Sequence, residues 1–238
     1  MILDLINKAK NNNKKLLAIL LDPDKLELSK ISIIVDKINN SDVNLIFVGG
    51  SLLFKNVLDN FVTKVKENTN LPVVLFPGSA MQITNNADGI LFLQLISGRN
   101  PEYLISNQVI AAPLLRQTNL EVISTGYMLI ESGRETTASY ISNTKPIPAH
   151  KPEIAMATAM AGEYIGNKLI YMDGGSGALN TIPTNMIEKV SKHIELPIII
   201  GGGLRTKQAI NDAYKAGATV VVVGTAFEQD ENLLESLQ

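Results

Sequence analysis

Residues 198–224 read IIIGGGLRTKQAINDAYKAGATVVVVG, and the architecture of the chain can be read from them. Two runs made only of β-branched residues, Ile198–Ile200 and Val220–Val223, flank a segment with helical spacing. Continuous apolar runs of this kind suit strands buried on both faces, the condition of a parallel sheet covered by helices. Between them Ala209, Ile210 and Ala213 fall on one helical face, with Thr206 placed as an N-cap and Gly217 as a stop. Each run ends in glycine, Gly201-Gly202-Gly203 after the first and Gly224 after the second.

The same unit recurs along the chain. Leu16–Leu21, Leu45–Val48, Val73–Phe76, Ile90–Leu93, Val122–Ser124 (or on to Leu129) and Leu169–Met172 bring the strands to eight. Residues 29–38, with Ile31, Ile34, Val35 and Ile38 on one face, predict a helix. Residues 153–165 predict another, with Ile154, Ala157, Ala161 and Ile165 as its buried face. Eight strands alternating with helices in 238 residues predict an α/β fold, a (β/α)8 TIM barrel, as one domain over 1–238. A doubly wound sheet is the competing architecture, with fewer strands at this length. One unit is anomalous. Only PGSAMQITNNAD, 77–88, lies between Phe76 and Gly89. No full helix fits there, so the third helix is expected to be replaced by a loop, with Asn85 and Asn86 free to move in it. The gap is either a short loop over a small defect or an apolar groove along the barrel wall.

Charge and composition exclude several classes. With 21 Lys+Arg against 23 Asp+Glu, the formal net charge is −2, without the basic excess that phosphate-backbone binding requires. No nucleic-acid partner is expected. The absence of cysteine excludes disulfides, thiolate metal sites, iron–sulfur clusters and a cysteine nucleophile, and fits a reducing compartment. The first residues, MILDLINKAKNNNKKLLAILLDPDK, read as a helix and a strand rather than a signal peptide. No run approaches the ~18 uncharged apolar residues of a membrane span. A cytoplasmic location is the expectation.

In barrels of this kind the chemistry sits on loops after the strand C-termini, and the loops after strands 7 and 8 form the usual phosphate site. Here they carry Gly202 and Gly203, then Gly224 and Thr225, where backbone N–H groups can approach an anion closely. The segment Tyr171-Met172-Asp173-Gly174-Gly175-Ser176-Gly177 ends strand 6 beside them and adds N–H and hydroxyl donors. Asp173 is placed to face whatever the phosphate is attached to, binding a hydroxyl or taking its proton; a capping role is the alternative. At the same mouth, Asp22 ends strand 1 and Ser51 follows strand 2. A carboxylate and a hydroxyl make a partial shell for Mg2+, completed by water and substrate phosphates. Asp24 and Glu27 have capping-box spacing, so Asp22 is assigned to the metal and Asp24 to a cap. Two anion sites across one mouth point to transfer between two phosphorylated substrates. An isomerase or lyase of sugar phosphates, or a non-catalytic barrel binding a prenyl phosphate, are the alternatives. The lack of lysine inside the strands counts against Schiff-base chemistry. His193 reads as a surface residue near a helix C-terminus, and the roles of His150 and Arg99 stay open.

The chain resembles the geranylgeranylglyceryl phosphate synthase family, which includes bacterial PcrB-type proteins. The resemblance rests on LDPDK, VGGS, YMDGGSGA, GGGLRT and VGTAFE in order, with RNPEYLISNQVIAAP and KPEIAMATAMAGEYIG between them. It covers essentially the whole chain. It implies Mg2+-dependent transfer of a prenyl group, geranylgeranyl first, from a prenyl diphosphate to the 3-hydroxyl of sn-glycerol 1-phosphate. Asp22 and Ser51 would hold Mg2+. Tyr171 to Gly177, Gly202, Gly203, Gly224 and Thr225 would bind glycerol phosphate, with Asp173 and Tyr171 catalytic. Family members commonly carry glutamate where this chain has Asp173, which puts direct proton abstraction by the shorter side chain in question. The resemblance also implies a homo-oligomer, and the lipid-like product implies transient contact with a membrane surface.

Overall fold

The computed structural model describes residues 1–229; residues 230–238, part of the expected single domain, lie outside the described residues. Eight parallel strands close into a barrel in chain order, β1 pairing with β8. They are β1 (Leu16–Leu21), β2 (Val43–Val48), β3 (Val73–Leu75), β4 (Gly89–Leu95), β5 (Glu121–Leu129), β6 (Leu169–Asp173), β7 (Ile198–Gly201) and β8 (Val220–Val223). The longer reading of the fifth strand is the observed one.

Alternation along each strand divides the core in two. Ala18, Leu45, Phe47, Val74, Leu91, Ile123, Tyr127, Leu169, Tyr171, Ile199 and Val222 fill the barrel interior. Their neighbours Ile19, Ile46, Val73, Ile170, Met172, Ile198, Ile200 and Val221 point outward under the helices. Both sets are apolar because both strand faces are dry.

Helix α1 (Ile2–Asn11) lies across the N-terminal end of the barrel, with Ile2, Ile6 and Ala9 packed into the interior cluster. Its first N–H groups are capped from a distance: the Glu121 carboxylate accepts from Ile2 N and, at 3.0 Å, from Leu3 N. The outer helices are α2 (Ile31–Asn39), α3 (Leu58–Lys66), α4 (Asn107–Leu115), α5 (Thr137–Ser142), α6 (Pro152–Tyr164), α7 (Thr184–Ser191), α8 (Lys207–Lys215) and α9 (Thr225–Gln229). In α2, Ile31, Ile34, Val35 and Ile38 are buried as the spacing predicts. In α8, Thr206 caps the N-terminus by accepting from Ala209 N at 3.2 Å, and Gly217 follows with φ +117°.

Two helical readings are corrected. Helix α6 buries Ala155, Ala159 and Gly162, whereas Ile154 and Ile165 are exposed. The reason is distance: a Cβ on Gly162 would come within 2.7 Å of Ile96 Cδ1 and 3.0 Å of Ile170 Cδ1. The helix lies so close to the sheet that only small side chains fit beneath it. Asp24 does not cap a helix. Its carboxylate accepts from Phe54 N at 2.6 Å and Lys55 N at 3.1 Å, tying the loop after β1 to the loop after β2.

No helix joins β3 to β4. The loop 77–88 is anchored rather than free: Asn85 Oδ1 accepts from Asn119 N at 2.8 Å, and Asn86 Nδ2 donates to Thr63 Oγ1 at 2.9 Å.

Candidate active site

The C-terminal mouth of the barrel opens into a cavity of about 490 Å³ that contains Asp22, Ser51, Tyr171, Asp173, Gly175, Ser176, Gly177, Gly202, Gly203, Gly224 and Thr225 in its wall. Sequence alternation explains which residues of β6 reach it. Tyr171 and Asp173 point inward, so Met172 between them points outward and is fully buried under the helices. The expectation that Met172 binds glycerol phosphate is therefore corrected. Gly174 is also absent from the cavity wall, because its backbone is pressed against Gly202: a Cβ on Gly202 would lie 2.6 Å from Gly174 N. With φ +87°, Gly202 sits where only glycine is comfortable.

The backbone of the turn after β6 can be assigned donor by donor. Gly174 N donates to Gly201 O at 3.0 Å, and Ala178 N to Gly175 O at 3.2 Å. Gly175 N donates to Asp173 Oδ1 at 2.7 Å, and Leu179 N and Asn180 N both donate to Ser132 O. Ser176 N and Gly177 N have no partner among the described residues. Both residues line the cavity beside Gly202, Gly203, Gly224 and Thr225, with Ser176 Oγ 3.4 Å from Thr225 Oγ1. Backbone from three glycine turns thus meets at one wall of the cavity, a setting that suits an anion cradle of N–H groups.

Asp173 lies at the junction between this cradle and the barrel interior. It is buried, and Tyr127 Oη donates to its Oδ2 at 2.6 Å. Burial pushes the carboxyl above the usual range, and the bonds from Tyr127 and Gly175 N offset part of that rise. Burial likewise raises the Tyr127 and Tyr171 phenols well above their ordinary value, so both stay neutral donors. Below Asp173 the rings pack tightly. Tyr171 stacks on Phe76 with centroids 4.9 Å apart and planes 12° apart, and Tyr127 meets both rings edge-on. The register that sets Tyr127 beside Tyr171 and Leu129 beside Asp173 places the Tyr127 hydroxyl within reach of the carboxylate. The sequence reading gives Tyr127 no part in the site, because its place beside Asp173 follows from the register of β5 against β6.

In the loop after β1, Asp22 Oδ1 accepts from Asp24 N at 3.0 Å, and Lys25 Nζ lies 3.2 Å from Oδ2. A Cβ on Gly50 would come within 3.2 Å of Asp22 Oδ1, so glycine there keeps the approach to the carboxylate clear. Ser51 follows directly. Among the described residues, no three His, Cys, Asp or Glu side chains converge to hold a metal ion. Asp22 and Ser51 thus fit an ion that takes most of its ligands from water and substrate, the habit of Mg2+.

From Asp22 the cavity continues along the outside of β4. Ile83 from the helix-free loop, Ile90 and Phe92 from β4, and Ala111 and Leu115 from α4 line it. The missing helix is what leaves this strip uncovered. The groove reading, rather than a filled defect, is the observed one.

Neither histidine enters the site. His193 follows α7 at the surface, its Nδ1 2.8 Å from Lys189 O, and His150 is exposed. Arg99 donates to Gly98 O at 2.8 Å. Arg205 lines the cavity and donates to Ala178 O at 2.6 Å, linking the loops after β6 and β7.

An anion cradle after β6, β7 and β8, a buried acid beside it and an apolar trough in the same cavity define a phosphate-binding TIM barrel for an amphiphilic substrate pair. The chain belongs to the PcrB family, whose model matches residues 10–237. It is 52% identical to the geranylgeranylglyceryl phosphate synthase of Flavobacterium johnsoniae over 97% of this chain and 95% of the relative. The synthase of the same name from Pyrococcus abyssi is 39% identical over 97% and 91% of the two chains. Among solved structures, (S)-3-O-geranylgeranylglyceryl phosphate synthase from Thermoplasma acidophilum, in complex with its substrate sn-glycerol-1-phosphate, superposes with a TM-score of 0.94 at 30% identity, covering 100% of this chain and 95% of that one.

Proposed function

We propose that this chain is a prenyltransferase that joins the 3-hydroxyl of sn-glycerol 1-phosphate to a prenyl diphosphate, geranylgeranyl diphosphate first among donors, and releases diphosphate. The observation that carries this reading is one continuous cavity with three parts. The N–H cradle of Ser176, Gly177 and the turns after β7 and β8 suits the glycerol phosphate dianion. The trough of Ile83, Ile90, Phe92, Ala111 and Leu115 suits an isoprenoid tail. Asp173 stands between them. The names of the relatives point the same way.

The chemistry follows from that placement. Asp22 and Ser51 would hold Mg2+, which when bound neutralises the diphosphate so that it leaves more readily. The donor's allylic C1–O bond breaks, its electron pair leaving with the diphosphate. The glycerol 3-oxygen forms the new C–O bond. Asp173, held by Tyr127 and Gly175 N, takes the hydroxyl proton. Tyr171 and Phe76, stacked on each other, line the cavity below and give the reacting centre an aromatic floor. The cradle and the groove fix the two reactants against each other, which is where most of the acceleration arises. No covalent nucleophile is needed.

In this reading the protein works in the cytoplasm as a homo-oligomer and touches the membrane surface when product leaves. No helix among the described residues is long and apolar enough to cross a membrane. Exposed Ile105, Val109, Ile110 and Leu114 around α4 support self-association. The test is incubation with sn-glycerol 1-phosphate, geranylgeranyl diphosphate and Mg2+, followed by mass spectrometry of extracted lipid. The expected result is an ether-linked product that EDTA abolishes. Failure of every prenyl donor to give product would overturn the reading.

A further inference from the structure

The two N–H groups offered by the turn after β6 belong to a glycine-rich segment. Gly175 and Gly177 have φ of +85° and +72°, and all four residues of 174–177 are glycine or serine. Glycine-rich backbone loses more freedom on ordering than any other, so a phosphate that had to order this turn itself would bind more weakly. Something outside the turn must hold it.

Ser132, on the loop after β5, touches both of its ends. Its Oγ donates to Gly174 O at 2.7 Å. Its own carbonyl accepts from Leu179 N at 3.1 Å and from Asn180 N at 3.0 Å. Ser132 is 2% exposed and is no part of the cavity wall, so it cannot touch a substrate. The neighbouring residues fix the same junction. A Cβ on Gly175 would meet Thr136 Cγ2 at 2.7 Å, and one on Gly133 would meet Asn180 Nδ2 at 2.6 Å. The loop 131–136 is therefore seated along the back of the turn, where Ser132 hydrogen-bonds to the turn's backbone, while Arg205 Nη2 holds it from the β7 side by donating to Ala178 O at 2.6 Å.

We infer that Ser132 is a positioning residue for phosphate recognition, holding the turn 174–180 so that Ser176 N and Gly177 N converge on the phosphate of the acceptor. This rests on the prenyl-transfer reading for the identity of the acceptor. The device acts on one substrate only. Among the described residues Ser132 bonds only to the turn after β6, not to the groove or to the loops of Asp22 and Ser51, so the prenyl donor does not feel its loss.

The test is calorimetric titration of sn-glycerol 1-phosphate into the parent protein and the Ser132→Ala and Ser132→Cys variants, alongside steady-state KM for both substrates. Losing one hydrogen bond that fixes the donors predicts about tenfold weaker glycerol phosphate binding for Ser132→Ala. Ser132→Cys, nearly isosteric and a weaker donor, falls between. The KM for prenyl diphosphate stays at the parent value in both. If Ser132→Ala does not fold, Ser132→Cys carries the comparison. Parent-like affinity in the variant compared overturns the inference, as does an equal rise in both KM values, the mark of a general structural defect. The titration needs no turnover. A parent that binds glycerol phosphate yet forms no product defeats the prenyl-transfer reading alone, and a parent that does not bind it defeats both.

Discussion

Tyr127 Oη donates to Asp173 Oδ2 at 2.6 Å inside the barrel, two strands' side chains meeting where the anion cradle begins. The bond stabilises the ionised carboxylate against the burial that disfavours it. It leaves Asp173 oriented, with its other oxygen on Gly175 N. The following outcomes are expected from this and the other contacts.

If Asp173 takes the hydroxyl proton, turnover requires its ionised form. The acid limb of kcat/KM then lies above the ordinary aspartate range, because burial raises the carboxyl. Removing the Tyr127 hydroxyl removes a bond to the charged form, so Tyr127→Phe moves that limb to still higher pH. Asp173→Asn lowers kcat by about 10²-fold or more. A pH–rate series on the parent and both variants checks all three.

The same burial predicts a stability effect of opposite sense. A carboxyl whose folded-state value is raised loses stability as pH rises from its unfolded value through its folded one. At neutral pH Asp173→Asn should therefore melt at or above the parent temperature, and the gap should close in acid. Thermal melts at several pH values report it.

Asp22→Asn should abolish the dependence of turnover on Mg2+ concentration and lower kcat, while calorimetric binding of glycerol phosphate stays near the parent value. Among the described residues the contacts of the Asp22 carboxylate run to Asp24 N and Lys25 Nζ in its own loop, not to the turns after β6, β7 and β8. A parallel loss of glycerol phosphate affinity would contradict the division into two anion sites.

Gly202→Ala places a Cβ within 2.6 Å of Gly174 N at a φ of +87°. The strain costs about 1–3 kcal/mol, and each kcal/mol lowers the melting temperature of a domain this size by about 2–4 °C. Because Gly174 opens the turn that carries Ser176 and Gly177, KM for glycerol phosphate rises as well. Differential scanning calorimetry and steady-state kinetics read the two effects separately.

Ala111 lines the trough opposite Ile90 and Phe92. Ala111→Trp should shorten the donor chain the enzyme accepts, raising KM for geranylgeranyl diphosphate while leaving a shorter allylic diphosphate little changed. Competition between donors of different length, read by mass spectrometry of the lipids, checks it.

The architecture was legible in the sequence because its signals are local. Eight Leu/Ile/Val runs alternating with helical patterns demand a parallel sheet, and the twelve residues 77–88 cannot hold a helix whatever surrounds them. The glycine turns after β7 and β8 were legible for the same reason: they lie next to the strands that carry them. Parity along β6 was written there too, and it already separates Asp173 and Tyr171 from Met172. What pairs across the barrel was not written locally. The Tyr127–Asp173 bond depends on the register of β5 against β6, and the Ser132 contacts on how two loops dock. The buried face of α6 depends on its distance from the sheet, which favours Ala155, Ala159 and Gly162 over the larger isoleucines. Asp24 left its sequence neighbours for Phe54 N and Lys55 N, thirty residues on. Periodicity and chain length are properties of neighbouring residues, so the sequence carries them openly. Register, loop docking and interlayer distance are fixed only when the barrel closes, since each depends on atoms that closure alone brings together.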